Sequence, residues 1–215
     1  MISPHELLKE SRNVIKKKFP IEDAHRRLMS YERPKLSELK NKIPVPRDSA
    51  VLILLYPKLD TWNSVLIQRA GYQGVHSKQI AFPGGKREQI DLNLQETALR
   101  EAQEEVAINP TAVEIIGSLS TLYIPPSNFL VTPYVGMLRE EPSLIPDPRE
   151  VASIIHFDVK ELYRDDIIQE TVLDLPRYEQ KMKVKYFNID NQIVWGATGL
   201  MLAELSMVFG DLLDK

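Results

Sequence analysis

Apolar and polar positions along the chain fall into strand-like runs and helix-like stripes. AVLILLY at 50–56 is apolar throughout and is stopped by Pro57, which predicts a buried strand. WNSVLIQ at 62–68 predicts a second strand, joined to the first as a hairpin. A short third strand at 80–82 runs into Pro83-Gly84-Gly85, and a helix follows at 94–107. Strands are expected at 113–121, 130–138, 150–157 and 184–189, with a helical turn at 159–162 and a closing amphipathic helix at 200–213. Two earlier helices, at 4–18 and 22–31, are punctuated by Phe19-Pro20 and Arg33-Pro34, and Ile43-Pro44-Val45-Pro46 reads as a linker. The organisation expected is an N-terminal helical arm over 1–47 and a second unit over 48–215. Strands and helices mix without regular βαβ alternation, so the fold class is α+β.

Composition narrows the function. With 43% apolar and 27% charged residues in 215, the chain has the make-up of an ordinary globular protein. Lys+Arg is 27 against Asp+Glu 30, a net charge of −3, which gives no reason to expect a nucleic-acid partner. The absence of cysteine excludes disulfides, thiol catalysis and zinc-thiolate sites, and His5, His25, His76 and His156 show no metal-ligand spacing. No secretory signal is expected at the N-terminus, whose charges precede no apolar stretch. The uncharged run 115–138 is long enough to span a bilayer, but Pro125, Pro126, Pro133 and Asn128 favour two buried strands joined by a rigid loop. A cytoplasmic protein without a membrane partner is the expectation. Residues 1–47 carry 12 Lys/Arg against 6 Asp/Glu, the composition of a solvated arm or of a surface that helps hold a polyphosphate.

The chemistry concentrates at 84–106. On a helical wheel, Glu101, Glu104 and Glu105 share one stripe, at i, i+3 and i+4, with Glu105 about 40° and Glu104 about −60° from Glu101. Ala98, Leu99, Ala102 and Val106 fill the neighbouring sector and would pack on a sheet. Like charges at this spacing cost a few tenths of a kcal/mol each, and only Arg100 stands beside them. A solvated acidic face would account for three glutamates alone. The Gly84-Gly85 loop leading into the helix changes that reading, because its backbone can approach phosphates closely. Hard carboxylate oxygens on one face suit Mg²⁺ or Mn²⁺.

Arg100-Glu101-Ala102-Gln103-Glu104-Glu105, with Gly85 as leading glycine, resembles the R-E-U-x-E-E heart of the Nudix box. The spacing from Gly85 to Arg100 is one residue longer than usual, Asp91 matches the box's isolated acid, and Ala107 stands where a glycine commonly follows. Phe82-Pro83-Gly84-Gly85-Lys86-Arg87-Glu88, then Asp91 and Thr97-Ala98-Leu99-Arg100-Glu101, is similar to the coenzyme A pyrophosphatase subgroup. Arg69-Ala70 stands at that subgroup's distance before Phe82, and His76 and Gln79 fit its upstream pattern. Val65-Leu66-Ile67, Gly74 and Lys78 depart from it. The segments at 127–135 and 146–152 and Val194-Trp195-Gly196-Ala197-Thr198 extend the resemblance over about 48–210.

The resemblance implies a Nudix-type α/β/α sandwich with a mixed sheet, extended by the N-terminal helices, and divalent-metal hydrolysis of a nucleoside diphosphate derivative. Gly85, Glu101, Glu104 and Glu105 would hold Mg²⁺ or Mn²⁺, and Arg100 would orient Glu101. The general base would be Glu150, Glu101 or Glu104. Arg69, His76, Gly84, Tyr123, Asn128 and Phe129 would contact a small nucleotide substrate. Coenzyme A or acyl-coenzyme A is the expected substrate, with ADP-ribose or a dinucleotide as the alternative. A non-catalytic Nudix-fold module is the third reading, and a homodimer is an expectation from the family.

Overall fold

Strand β1, Arg47–Lys58, runs through the centre of the molecule. The structure, a computed structural model, describes residues 2–15, 21–29, 36–39, 44–71, 79–175 and 180–213. Helices α1 (Pro4–Val14) and α2 (Ile21–Arg26) precede β1, and β2 (Thr61–Arg69), β3 (Ile80–Ala81), β4 (Gly84–Lys86) and α3 (Leu94–Val106) follow it. Then come β5 (Glu114–Ser118), β6 (Leu122–Ile124), β7 (Phe129–Met137) and β8 (Val151–Asp158). A 3-10 turn (Val159–Tyr163) leads to β9 (Ile168–Leu175), β10 (Gln180–Ile189), β11 (Gln192–Val194) and α4 (Gly196–Leu213).

β1 pairs in parallel with β7 along nearly its whole length, from Arg47 opposite Phe129 to Leu55 opposite Met137. Its other edge carries β4 antiparallel at Ser49, Ala50 and Val51, and β2 antiparallel at Tyr56, Pro57 and Lys58. β8 lies against the far side of β2, while β5 and β6 pair with β7, completing a mixed sheet. β9, β10 and β11 form a separate three-stranded sheet.

Alternation along β1 sorts its side chains into two cores. Ala50, Leu52, Leu54 and Tyr56 pack with Ala98, Ala102 and Val106 of α3. Ile53 and Leu55 join Val131, Val135 and the apolar residues of α4 on the opposite face. Helices therefore cover both faces, which is why AVLILLY needs no polar position. The layers are α/β/α.

The expected arm lies against this same layer. Leu7 of α1 and Ala24 of α2 are fully buried, and His25 Nε2 stands 3.4 Å from Glu204 Oε2 of α4. With the sheet on one side and α1 and α2 on the other, α4 is apolar almost all round rather than amphipathic, and it begins at Gly196, four residues before the expected start. Other boundaries also move. The expected strand 113–121 is the shorter β5, and β6 follows beyond it at 122–124, with Pro125-Pro126 in the turn before β7. β4, β9 and β11 are strands that the sequence pattern did not announce. Among the described residues no helix is long and apolar enough to cross a membrane.

Candidate active site

The acidic helix is built from its cap upward. The Asn93 side chain accepts the Glu96 N–H at 3.0 Å, and the Glu96 carboxylate accepts the Leu92 N–H at 3.0 Å, which closes the first turn. At the other end Ala107 is left-handed, with φ 58°, the conformation that explains why a glycine suits this place. Thr97, Ala98, Ala102 and Val106 are buried against the sheet, so the helix is fixed in rotation and its carboxylates are turned toward the Gly84-Gly85 strand.

Arg100 ties loop to helix. Its Nε and Nη2 donate to the two Asp91 oxygens at 2.9 and 3.0 Å, and Nη2 also donates to the Lys86 carbonyl at 3.1 Å. Its Nη1 lies 3.0 Å from both Glu101 Oε1 and Glu104 Oε2. Asp91, whose side chain is 3% exposed, also accepts the Glu88 N–H and the Thr97 hydroxyl. The box's isolated acid is thus the anchor for its arginine.

Gly84 and Gly85 are close-approach positions. A side chain at Gly85 would put its Cβ 2.3 Å from Glu101 Oε2. At Gly84, φ is 152° and a Cβ would lie 2.4 Å from the Ala50 carbonyl oxygen. The Gly84 N–H donates to Glu105 Oε2 at 2.8 Å, and Arg69 Nη1 donates to Glu105 Oε1 at 3.1 Å. Glu105 is 1% exposed.

Glu150 arrives from across the chain. A register shift between Gln68 and Arg69 sets Arg69 opposite Val151 at the end of the β2–β8 ladder, and the Ala70 N–H donates to the Glu150 carbonyl at 2.8 Å. The preceding loop docks on the C-terminus of α3, where the Ile145 and Asp147 N–H groups donate to the Val106 and Glu105 carbonyls. Glu101, Glu105, Arg69 and Glu150 are thereby gathered around Gly84-Gly85, with Glu104 at the exposed side of Arg100.

Tyr123, Asn128 and Phe129 sit elsewhere, on the β6–β7 turn beside the start of β1. Tyr123 Oη donates to Asn128 Oδ1 at 3.0 Å, and Asn128 Nδ2 donates to the Pro44 and Val45 carbonyls. Asn128, with φ 55°, therefore pins the linker. His76 falls outside the described residues.

The NUDIX domain family matches residues 46–175. Relatives named uncharacterized Nudix hydrolase NudL are similar in sequence. That of Pectobacterium atrosepticum is 35% identical over 167 residues, 77% of this chain and 84% of the relative. That of an Enterobacter species is 35% identical over 83% of this chain and 89% of the relative. The chain belongs to the Nudix hydrolase family. Among solved structures, a MutT/nudix family protein from Enterococcus faecalis superposes with a TM-score of 0.50 at 17% identity, covering 100% of this chain and 76% of that one, which supports the fold.

A Nudix hydrolase is a pyrophosphohydrolase, and the family uses divalent metals. The donor chemistry here suits a hard cation. Burial pushes the Glu105 carboxyl up to about 7, against the pull of Arg69 and the Gly84 N–H, with the charges of Glu101 and Glu150 adding to the rise. Burial also raises Glu101; Arg100 opposes this, and Glu104 and Glu150 reinforce it. These oxygens repel one another, and among the described residues the cations that answer them are Arg69 and Arg100, so a divalent cation would relieve the cluster. Among the described residues no three carboxylates or histidines already converge at metal-ligand spacing. Glu104 is turned to Arg100, and Glu105 to Arg69 and Gly84.

Two residues near the loop were not singled out in the sequence. The buried Ser49 donates its hydroxyl to the Gly85 carbonyl at 2.6 Å, fixing that carbonyl. The Arg47 guanidinium lies 4.1 Å from the centre of the Phe129 ring. Neither carries a local motif; only the pairing of β1 with β4 and β7 gives them their place.

The Asp91–Arg100 pair predicts an acid limb in stability. The Arg100 hydrogen bond, aided by the Glu88 N–H and Thr97, holds the Asp91 carboxyl well below the usual carboxylate range despite burial. A carboxyl so depressed adds stability above its unfolded value of about 3.9 and loses it as pH falls toward the folded value. In urea unfolding at pH 7 and pH 3, Asp91→Asn is expected to be less stable than wild type at pH 7, with the gap narrowing at pH 3. An equal gap at both values would show that the pair does not carry the dependence.

Proposed function

We propose that this Nudix hydrolase cleaves the pyrophosphate bond of coenzyme A or acyl-coenzyme A, releasing 3′,5′-ADP and 4′-phosphopantetheine. The carrying observation is the gathering of Glu101, Glu105 and Glu150 about the Gly84-Gly85 strand, whose Gly85 lies directly against the Glu101 carboxylate. The substrate reading rests on the likeness of Phe82 to Glu88, Asp91 and Thr97 to Glu101 to the coenzyme A pyrophosphatase pattern.

Gly85 through its carbonyl, and Glu101, Glu104 and Glu105 through their carboxylates, would hold Mg²⁺ or Mn²⁺. When bound, such a cation neutralises phosphate oxygens and lowers the pKa of a bound water. Arg100 orients Glu101 by a charge-assisted hydrogen bond. Arg69 holds Glu105 in place and is well positioned to face a substrate phosphate. Glu150 is the base, because its carboxylate is exposed and makes no hydrogen bond among the described residues, while its backbone is held by Ala70 and Asp147. It takes the proton of the attacking water onto a carboxylate oxygen.

A panel of coenzyme A, dephospho-coenzyme A, ADP-ribose and NADH, each with Mg²⁺ and Mn²⁺, tests the reading. Coenzyme A is expected to give the highest kcat/KM, with 3′,5′-ADP among the products. A clear preference for ADP-ribose would replace the substrate, and no turnover with intact nucleotide binding would mean a binding module.

A further inference from the structure

Glu150 is delivered by a turn. Asp147-Pro148-Arg149-Glu150 has the residues a β-turn favours, with an aspartate first and a proline second, whose ring fixes φ. The Glu150 N–H donates to the Asp147 carbonyl at 3.0 Å and closes the turn, and the Val151 N–H donates to the same carbonyl at 2.8 Å. Val151 then opens β8, where it faces Arg69.

Asp147 is bound through all of its polar groups. Its N–H donates to the Glu105 carbonyl at 3.0 Å, and its carbonyl takes the two N–H groups just named. Its carboxylate folds back over the turn. Asp147 Oδ1 accepts the Arg149 N–H at 2.9 Å, and Arg149 Nε donates to Oδ1 and Oδ2 at 3.0 and 3.1 Å. The Asp147 side chain is 19% exposed and that of Arg149 84%. An ion pair whose cation lies in solvent holds little. The bond to the Arg149 backbone N–H is what shapes the turn, because it fixes the third residue as the proline fixes the second.

Two acids with different work are held through this one residue. Asp147 is joined to α3 at the Glu105 carbonyl and to Glu150 through its own carbonyl, while the Glu150 carbonyl is held by the Ala70 N–H at 2.8 Å. Glu150 stands near enough to Glu101 and Glu105 for its charge to act on both. Its carboxylate is exposed and makes no hydrogen bond among the described residues, so its placing depends on the backbone that carries it. We propose that Asp147 is a positioning residue: by accepting the Arg149 N–H it holds the 147–150 turn in the shape that presents the Glu150 carboxylate beside Glu101 and Glu105. This rests on the reading of Glu150 as the base. The effect falls on kcat rather than KM, because the turn carries none of the residues assigned to the substrate.

A double-mutant cycle in the full chain tests it, with Mg²⁺ and the compound of the panel above that turns over fastest, below the melting temperature of every variant. Asp147→Ala is expected to lower kcat about tenfold, as a base loses its alignment, with KM within about twofold of wild type. Asp147→Asn, whose amide oxygen still accepts the Arg149 N–H, should stay within about threefold of wild-type kcat. Glu150→Gln should be about 10²-fold slower than wild type, and in that background Asp147→Ala should cost nothing further. Mn²⁺ affinity in Asp147→Ala should equal that of wild type. An unchanged kcat in Asp147→Ala, or an equal loss in Asp147→Asn, would overturn the proposal. So would the same loss from Asp147→Ala with and without Glu150, which is the mark of a merely structural role. A fall in Mn²⁺ affinity in step with kcat would overturn it by making Asp147 a metal ligand. A slow Glu150→Gln with an additive Asp147→Ala loss removes Asp147 and keeps the base. Full activity in Glu150→Gln, or no turnover by wild type, removes the reading beneath and the proposal with it.

Discussion

Arg100→Ala is expected to lower unfolding stability by about 3–5 kcal/mol. It removes both hydrogen bonds to an aspartate that is 3% exposed, and a buried charge stripped of its partner costs that much. Asp91 would keep only the Glu88 N–H and the Thr97 hydroxyl. For a chain of this size, the melting temperature should fall by roughly ten degrees or more. Arg100→Lys should recover only part of the loss, because one ammonium cannot span both Asp91 oxygens and the Lys86 carbonyl. Differential scanning calorimetry at pH 7 reads the effect. A drop of a degree or two in the alanine variant would mean that the loop holds itself closed without its arginine.

Glu101→Gln is expected to reduce metal-dependent turnover by on the order of 10³-fold, with the melting temperature close to wild type. The amide keeps the shape, and its carbonyl oxygen can still accept the Arg100 Nη1 hydrogen bond that the carboxylate makes at 3.0 Å. What it loses is charge, at the point where Gly85 comes closest to α3. Steady-state hydrolysis with saturating Mg²⁺, run beside a thermal melt, separates the two effects. Activity within tenfold of wild type would remove Glu101 from the metal site.

Much of this site was legible before any coordinates. The helix at 94–107 and its acidic stripe followed from period 3.6, and Ala98, Ala102 and Val106 pack on the sheet as that period requires. The β1 run was legible because burial on both faces leaves no polar position. β4 was not, because Gly84 and Gly85 have no side chains to show a period, and their pairing partners lie over thirty residues away. β9 was hidden for a different reason. Its charged positions, such as Glu170 beside Lys183, face solvent in a hairpin, and no apolar alternation marks it. The basic arm looked solvated by composition, yet Leu7, Ser11 and Ala24 are fully buried, and the buried Glu204 that faces His25 belongs to a helix nearly two hundred residues on. Within the site, the box showed which acids belong together. That Asp91 holds Arg100, that Arg69 holds Glu105, and that Glu150 is delivered by the end of the β2–β8 ladder are long-range facts, set by strand register rather than by spacing.

Binding of Mn²⁺ to wild type and to Glu101→Gln, followed by electron paramagnetic resonance, tests the central claim most directly. The account predicts a specific site in wild type, with affinity at least tenfold weaker in the variant. Equal Mn²⁺ affinity in the two proteins, both folded, would contradict it.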